Sequence, residues 1–230
     1  MRFTLLEADI VNDFDEIIQC QWSAYENPYQ RFFRLFCPLR GDDPSARLES
    51  LEESTARQLD WHNTDPTSHW RKVVNDDGKI VGACLWKIYP TNPFEKVDDH
   101  CDASWHLEGE TREYVVECLE QFDAPRRRMG ARPQVYFRRQ GIADLIMEWG
   151  KQKADEMGVE MWLDSTEYGV PLYKKHGFTV VNVNPLKPTK AAPGEAWKKI
   201  DEELQPMTFW QMWRPVGGDY GEGETVKPWE

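Results

Sequence analysis

A basic hexapeptide stands where a phosphate group could be bound. It reads Arg138-Arg139-Gln140-Gly141-Ile142-Ala143, and the apolar period near 3.6 that follows predicts a long helix from Ile142 up to Gly158. The first turn of a helix carries free backbone N–H groups and a partial positive charge, and small residues leave both accessible. Two arginines add full charge, so this turn suits a pyrophosphate. A basic loop that merely caps a helix is the alternative.

A second group of conspicuous residues follows that helix. Leu163-Asp164-Ser165 ends a predicted strand, Val159–Leu163, and a predicted short helix, Tyr168–His176, is closed by Gly177. A further strand is predicted at Phe178–Val183. Helix, strand, short helix and strand in this order imply a crossover connection on a sheet.

Together the two groups resemble the signature of the GNAT family of acyl-CoA N-acyltransferases. In that family a Gln or Arg, two residues, a Gly, one residue and a Gly or Ala open a long helix, which Arg138, Gly141 and Ala143 match. The run from Gly169 to Phe178 is similar to the family's later pattern of small residues, Leu-Tyr and Gly-Phe. Upstream, the run from Asp42 to Arg47 and the hairpin after Trp70 resemble a fungal-type subgroup whose acceptors are not known.

The resemblance implies transfer of an acetyl group from acetyl-CoA, as co-substrate, to an unidentified small-molecule or peptide amine. The amine would attack the thioester directly, with no covalent enzyme intermediate and no metal. Tyr173 matches the tyrosine that protonates the departing thiolate, and a phenol is still protonated at pH 7. Packing of the short helix is the alternative role for Tyr173. The implied cofactor-binding residues are Phe137, Arg138, Arg139, Gln140, Gly141, Ile142, Ala143, Ser165 and Tyr173.

A general base is harder to assign from the sequence. Glu167 is the preferred candidate because it follows the strand end beside which the substrate would lie, and Asp164 shares that position. His106, in a polar loop, is a third candidate because histidine titrates near neutrality. A solvated surface position also suits each of the three, and an amine that arrives neutral or loses its proton through water would need no base.

The remaining chain supplies the elements that must position these residues. The patterns predict a first strand, helices at both sides of a proline, a hairpin turning at Gly78, and a helix before the central strand. The predicted elements are Phe3–Ala8, a helix capped by Asp13, Tyr29–Phe36, Ser45–Trp61 with Leu48, Leu51, Thr55 and Leu59 on its inner face, Trp70–Val74, Lys79–Ile88, Glu110–Gln121 and Phe209–Trp213. The predicted fold class is α/β (α+β), a GNAT-like mixed, mainly antiparallel sheet flanked by helices. It forms one domain over 1–214, followed by an irregular tail over 215–230.

The central strand before the hexapeptide is expected to be short. Only Val135, Tyr136 and Phe137 read as strand after Pro133, and the run Arg126–Arg128 reads as loop. We therefore expect the sheet to be interrupted there. A second function follows from this shortening: a GNAT-shaped protein that binds CoA with little or no turnover. A third, in which the basic loop only docks an acidic partner, predicts no CoA binding.

Composition and charge narrow the class of protein. The formal net charge is −12, so the surface as a whole repels phosphate backbones and anionic lipid heads, which argues against nucleic acid and membrane as partners. The local arginines from Arg126 to Arg139 fit a small anion better. Five cysteines stand singly, without the spacing of a zinc site. With no secretory segment or long apolar run, we expect a reduced, cytoplasmic or nuclear protein, and a homodimer stays open.

Overall fold

Helices cover both faces of one mixed sheet in the computed structural model of this chain, which describes residues 2–41, 43–95, 102–137 and 143–230. The seven strands lie in the order β1-β2-β3-β4-β5-β7-β6, and within the described residues β4 and β5 form the parallel pair while the other neighbours are antiparallel. The strands are β1 Thr4–Glu7, β2 Ser68–Val74, β3 Ile80–Tyr89, β4 Gln134–Phe137, β5 Glu160–Ser165, β6 Thr179–Pro185 and β7 Thr208–Arg214. The helices are α1 Ile10–Glu26, α2 Phe33–Phe36, α3 Ala46–Thr64, α4 Glu110–Met129, α5 Ala143–Met157, α6 Val170–Lys175 and α7 Glu195–Leu204. The predicted fold class is confirmed.

Helix α5 makes the crossover that the parallel pair β4 and β5 requires. It packs on the sheet face formed by Val135, Phe137, Met161 and Leu163. A Cβ atom at Gly150 would lie 2.2 Å from the Trp86 ring of β3, so only glycine lets the helix approach the sheet this closely.

The opposite face is covered by α1 and α3 at one end and by α4 and α7 at the other. Phe14 of α1 packs edge-to-face on Trp70 of β2, with ring centroids 5.5 Å apart. Tyr114 of α4 meets Trp197 of α7 in the same way at 5.0 Å. The first contact joins α1 to the sheet, and the second joins α4 to α7.

Helix α1 begins earlier than predicted, and its cap is Asp9, not Asp13. The Asp9 carboxylate accepts hydrogen bonds from the backbone N–H groups of Val11 and Asn12, at 3.1 and 3.3 Å. Asp13, one turn in, accepts from the Asp9 N–H at 2.7 Å. Asp9, directly before Ile10, therefore caps the helix, and the Asp13 carboxylate binds the Asp9 backbone N–H in return.

The inner face of α3 is also different from the predicted one. Of the predicted residues, Leu51 is buried and Leu59 packs against the core, but Leu48 is 57% exposed, and Ser54 and Gln58 are buried as well. Ser54 accepts a hydrogen bond from the Trp22 Nε1–H at 2.9 Å, and the Gln58 amide donates to Gln21 at 3.2 Å. An apolar pattern could not reveal this face because its polar side chains are satisfied internally.

Helix α4 continues to Met129, so the prediction of a loop at Arg126–Arg128 was wrong. Pro125 lies inside the helix and has no N–H to give to the Gln121 carbonyl, but that carbonyl accepts from the Asn184 side chain at 2.9 Å instead. The usual cost of an interior proline is thereby reduced, and no local pattern around Pro125 indicates the replacement donor.

Strand β4 is short, as predicted, but it does not interrupt the sheet. Its four residues are in register with β3 from Tyr89 to Trp86 and with β5 from Glu160 to Leu163. Both neighbours continue past Phe137, where the chain passes outside the described residues. Within the described residues the expected interruption is not found, because the strand pairs on both sides from Gln134 to Phe137.

The segment after Pro215 packs back onto the sheet. The Trp229 ring lies 5.2 Å from Trp162 and 5.1 Å from Trp213, on the face opposite α5. In the described residues, no helix is long and apolar enough to cross a membrane.

Candidate active site

The carboxyl ends of the parallel strands β4 and β5 meet beside the start of α6, and a cleft opens there. Tyr136 and Phe137 of β4 line it together with Asp164 of β5, Thr166 and Tyr173 of α6. The position is a direct result of the parallel pairing, because parallel strands bring their carboxyl ends to one edge.

Tyr173 lies in this cleft with 2% of its surface exposed. Its ring packs edge-to-face against Phe137 and Phe178, each at 6.1 Å between centroids. These contacts fix the ring between the end of β4 and the start of β6. Tyr173 therefore packs the short helix and also lies in the cleft, so the packing role and the proton-donor role considered from the sequence do not exclude each other.

Asp164 brings a buried carboxylate to the same cleft. Its side chain is 2% exposed, and Oδ2 accepts from Arg126 Nη1 at 3.1 Å and from the Tyr136 hydroxyl at 2.8 Å. Its other oxygen, Oδ1, is buried and has no hydrogen-bond partner among the described residues. Gln211 is in register with Asp164 on the neighbouring strand β7, and its side-chain amide acts on the carboxyl and lowers the pKa of Asp164, although Nε2 makes no close hydrogen bond there.

Burial and the neighbouring donors act in opposite directions on the pKa of Asp164. Burial raises the pKa of its carboxyl, while the Arg126 guanidinium and the Tyr136 hydroxyl act in the opposite direction. Arg126 is shared, since its Nη2 donates to Asp123 at 2.7 Å. Two carboxylates around one guanidinium give the cluster a net negative charge when both are ionised. A titratable group perturbed in this way within a cleft is a candidate functional residue.

Six aromatic rings, together with Gln30, form the rest of the cleft wall. The rings belong to Tyr25, Phe32, Phe33, Phe36, Phe122 and Phe209. Neighbouring rings support one another, at 4.8 Å between Phe122 and Phe209 and at 5.6 Å between Phe32 and Phe209, both edge-to-face. The lining is therefore mainly apolar, and it leaves a space of about 70 Å³.

The sequence-based site residues have different outcomes. The loop residues Arg138, Arg139, Gln140, Gly141 and Ile142 lie outside the described residues, as does the side chain of Ala143, the first residue of α5.

The structure brings Phe137 and Tyr173 together in the cleft, but Ser165 and Glu167 do not line it. Ser165 is 2% exposed and its hydroxyl donates to the Thr166 carbonyl at 2.6 Å. Glu167 is exposed on a 3₁₀ turn and lines a neighbouring depression beside Tyr168 and Trp210.

Two of the three candidate bases are not surface residues, contrary to expectation. Asp164 is buried as described, and His106 is 5% exposed, with Nε2 3.0 Å from the Leu35 carbonyl oxygen. Burial lowers the pKa of His106 to about 4. His106 therefore stays neutral at neutral pH, and its interpretation as a base that titrates near neutrality was wrong.

The predicted anion-binding arginine cluster is partly used inside the fold. Arg126 pairs with Asp123 and Asp164, and Arg132 donates to Glu160 at 2.8 Å. Arginines held by buried carboxylates do not offer their charge to a ligand, so these two do not contribute as expected.

Sequence reasoning missed Tyr136, Arg126 and the aromatic wall. The signal for Tyr136 was its place next to Phe137 at the end of a strand, where alternate residues face opposite sides of the sheet. Phe32, Phe33 and Phe36 were visible only as apolar helix positions. Across the described ranges, no group of three or more His, Cys, Asp or Glu is arranged to hold a metal ion.

Comparisons with known proteins place the fold but not the family. No protein-family model matches the chain, and no curated protein matches its sequence. Among solved structures, arylalkylamine N-acetyltransferase 2 from Aedes aegypti is similar at a TM-score of 0.60 and 13% identity, covering 94% of this chain and 100% of that one. An agmatine N-acetyltransferase is similar at 0.59 and 12%, covering 93% and 99%. The Drosophila melanogaster polyamine N-acetyltransferase, which forms N-acetylagmatine, is similar at 0.54 and 11%, covering 94% and 100%.

The shared architecture is that of the GNAT acetyltransferases: a seven-stranded, mostly antiparallel open sheet with flanking helices. These structural neighbours are N-acetyltransferases that act on small amines. At such low identity the likeness concerns the fold, and the chemistry of this chain has to be argued from its own residues.

Proposed function

We propose that the protein is a GNAT-superfamily N-acetyltransferase that moves an acetyl group from acetyl-CoA to an amine. The observation that carries the proposal is the meeting of Phe137, Asp164 and Tyr173 in one cleft, at the carboxyl ends of the parallel strands. A place in a fungal-type subgroup stays a prediction from the sequence.

Acetyl-CoA would be held at the junction of β4 and α5. Phe137 ends β4 and Ala143 begins α5, so the hexapeptide connects the strand end to the helix N-terminus. Its arginines and the backbone N–H groups of that turn would bind the pyrophosphate. The thioester would then extend along Phe137 towards Tyr173.

The proposed reaction is direct acyl transfer. A neutral amine nitrogen attacks the thioester carbonyl carbon, the N–C bond forms, and the C–S bond breaks with its electron pair leaving on sulfur. The hydroxyl of Tyr173 gives a proton to the sulfur and regains one from the nitrogen, which leaves an N-acetyl amide and the free CoA thiol. Glu167, exposed next to the cleft, would pass to solvent the proton that an ammonium must lose beforehand.

The length of β4 supports a second candidate, a CoA-binding protein with little or no turnover. Four residues offer few backbone groups to the pantetheine arm, and each lost hydrogen bond weakens binding by about 0.5–1.5 kcal/mol. The two candidates share CoA binding and differ only in product formation.

The test is the change in melting temperature on adding acetyl-CoA, with wild-type protein and Gly141→Glu. A ligand that binds only the native state raises the melting temperature, and a carboxylate in the pyrophosphate site should abolish the rise. Leu48→Glu is the control, because it adds the same charge at an exposed position on α3. We expect a shift for wild type and Leu48→Glu and none for Gly141→Glu.

An absent shift in wild type at saturating acetyl-CoA would refute CoA binding and both candidates with it. If the shift is present, release of free CoA thiol in the presence of a panel of amines separates the two. Product formation supports the transferase, whereas a shift without product for any amine supports the CoA-binding protein.

A further inference from the structure

Helices α5 and α6 are joined by a histidine that contacts two carboxylates at once. His176, directly after α6, is 8% exposed. Its Nε2 lies 2.9 Å from Asp144 Oδ1 and its Nδ1 lies 3.4 Å from Glu148 Oε1, both on α5. Ionised carboxylates accept hydrogen bonds and donate none, so the doubly protonated ring, a cation, is the form that satisfies both contacts.

The two carboxylates differ in their other partners. Glu148 also accepts from the Lys151 ammonium at 2.7 Å, and Lys151 first, with His176 in addition, holds the pKa of Glu148 below its usual value. Asp144 is paired with His176 alone among the described residues, and its side chain is 82% exposed. Removal of His176 would therefore leave Asp144 without a paired cation, whereas Glu148 would keep Lys151.

Asp144 lies in the first turn of α5, one residue after Ala143. The partial positive charge of a helix N-terminus attracts a carboxylate of that turn as it attracts a phosphate, so the two groups compete for it. A carboxylate that is bound to His176 is directed towards α6 and neutralised. An unpaired Asp144, in contrast, would repel a pyrophosphate bound at this turn.

We propose that His176 is a positioning residue for the CoA donor, because it neutralises Asp144 and keeps this carboxylate away from the pyrophosphate at the start of α5. This inference rests on the proposed binding of acetyl-CoA and assigns one more residue to it. In this role His176 acts through Asp144 and not on the thioester. It therefore governs the affinity for the donor and leaves the acyl-transfer step unchanged.

Calorimetry with CoA measures this effect without requiring turnover. His176→Gln keeps a side chain that can donate to Asp144 but removes the charge, so the Kd for CoA should rise by about 3- to 10-fold, and by less at high ionic strength. Adding Asp144→Asn to His176→Gln should return the Kd close to the wild-type value, because the unpaired charge is gone. Lys174→Gln is the matched control. It removes an exposed cation of the same helix that forms no ion pair within the described residues, and it should change the Kd much less.

A donor without phosphates separates this role from a structural one. S-acetyl-N-acetylcysteamine carries a thioester but no pyrophosphate, so its kcat/KM should be equal in wild type and His176→Gln. With acetyl-CoA the same variant should show a higher KM at unchanged kcat. An equal loss with both donors would show that His176 only holds the fold of α6, and it would overturn the inference.

Asp144→Asn alone keeps the inference testable if His176→Gln fails to fold. It removes only a negative charge from the first turn of α5, so it should bind CoA at least as tightly as wild type. Weaker binding would mean that the pair with His176 is a structural link, and it would overturn the inference.

The outcomes also separate this inference from the function on which it rests. Equal CoA affinity in wild type and folded His176→Gln, or a loss that Asp144→Asn does not restore, overturns the inference while the proposed transferase stands. CoA binding that depends on His176 and Asp144, without product from any amine, upholds the inference and overturns the transfer. No binding of CoA by wild type overturns both.

Discussion

Strand β5 carries two buried carboxylates on the same face, one at each end, and they differ in what surrounds them. Glu160 is fully paired: Oε1 accepts from Arg132 at 2.8 Å and from the Trp162 indole at 2.7 Å, and Oε2 accepts from the Trp213 indole at 3.0 Å. Asp164 has two donors on Oδ2, whereas Oδ1 makes no close hydrogen bond with the described residues and only the Gln211 amide of β7 acts on the carboxyl from that side.

The packing around the two carboxylates also differs. Trp229 packs over Trp162 and Trp213 and closes the Glu160 end, whereas the Asp164 end opens into the cleft. The same chemistry on one strand is thus structural at one end and available to a ligand at the other. Remaining hydrogen-bonding capacity, more than burial or charge, is what separates the two ends.

The largest expected effect is at the open end. Tyr173→Phe removes the proposed proton donor to the thiolate while keeping the ring between Phe137 and Phe178, so kcat should fall by about 10²–10⁴-fold. The acetyl-CoA melting shift should persist, because the hydroxyl acts on sulfur and not on the pyrophosphate. Steady-state kinetics and the melting shift are the measurements. Tyr220→Phe, near the closed end, is the control, and full activity in Tyr173→Phe would assign that residue to packing alone.

A smaller effect is expected on stability at the closed end. Glu160→Gln must place an amide NH₂ against either the Trp213 indole or the Arg132 and Trp162 donors, so it should lower the free energy of unfolding by about 1–3 kcal/mol. Asp164→Asn should lower it less, since its NH₂ can take the position of Oδ1. Urea unfolding of both variants gives the order. A larger loss in Asp164→Asn would contradict the distinction between the two ends.

The smallest effect concerns pH. Burial raises the pKa of Asp164 above its value in the unfolded chain, against Arg126 and Tyr136 and with Asp123. The native state then binds more protons, so the contribution of Asp164 to stability is complete below the unfolded value of about 3.9 and is lost as the pH rises through the native pKa. The unfolding free energy of wild type relative to Asp164→Asn should therefore decrease from acid to neutral pH. An increase would mean that Arg126 outweighs burial.

Much of the fold could be predicted because it depends on local patterns. The hairpin of β2 and β3 turns at Gly78, whose φ of 78° is a conformation that glycine favours. Helix α5 and the strands around it were predicted from the spacing of their apolar residues. These signals lie within a few residues of the element that they predict.

The errors concern features that depend on residues far apart in the chain. The end of α4 depends on Asn184, far along the chain, and the inner face of α3 depends on Trp22 and Gln21. Helix α7, Glu195–Leu204, was not predicted at all. Satisfaction of buried polar groups by distant partners is not encoded in local spacing, so propensity and period missed it.

The residues of the candidate site were also predicted only where they lie in a continuous motif. Tyr173 and Phe137 were found through motifs that are continuous in sequence. Asp164 was considered but placed on the surface, because its burial depends on Arg126 and Tyr136, which reach it from other elements. The aromatic wall of the cleft was missed because its rings come from separate helices and a strand.

The most direct test is a crystal structure grown with acetyl-CoA. The account predicts the pyrophosphate at the N-terminus of α5 and the thioester sulfur within hydrogen-bonding distance of the Tyr173 hydroxyl, with Glu160 and its indole partners unchanged. Acetyl-CoA bound away from the junction of β4 and α5, or a thioester remote from Tyr173, would contradict it.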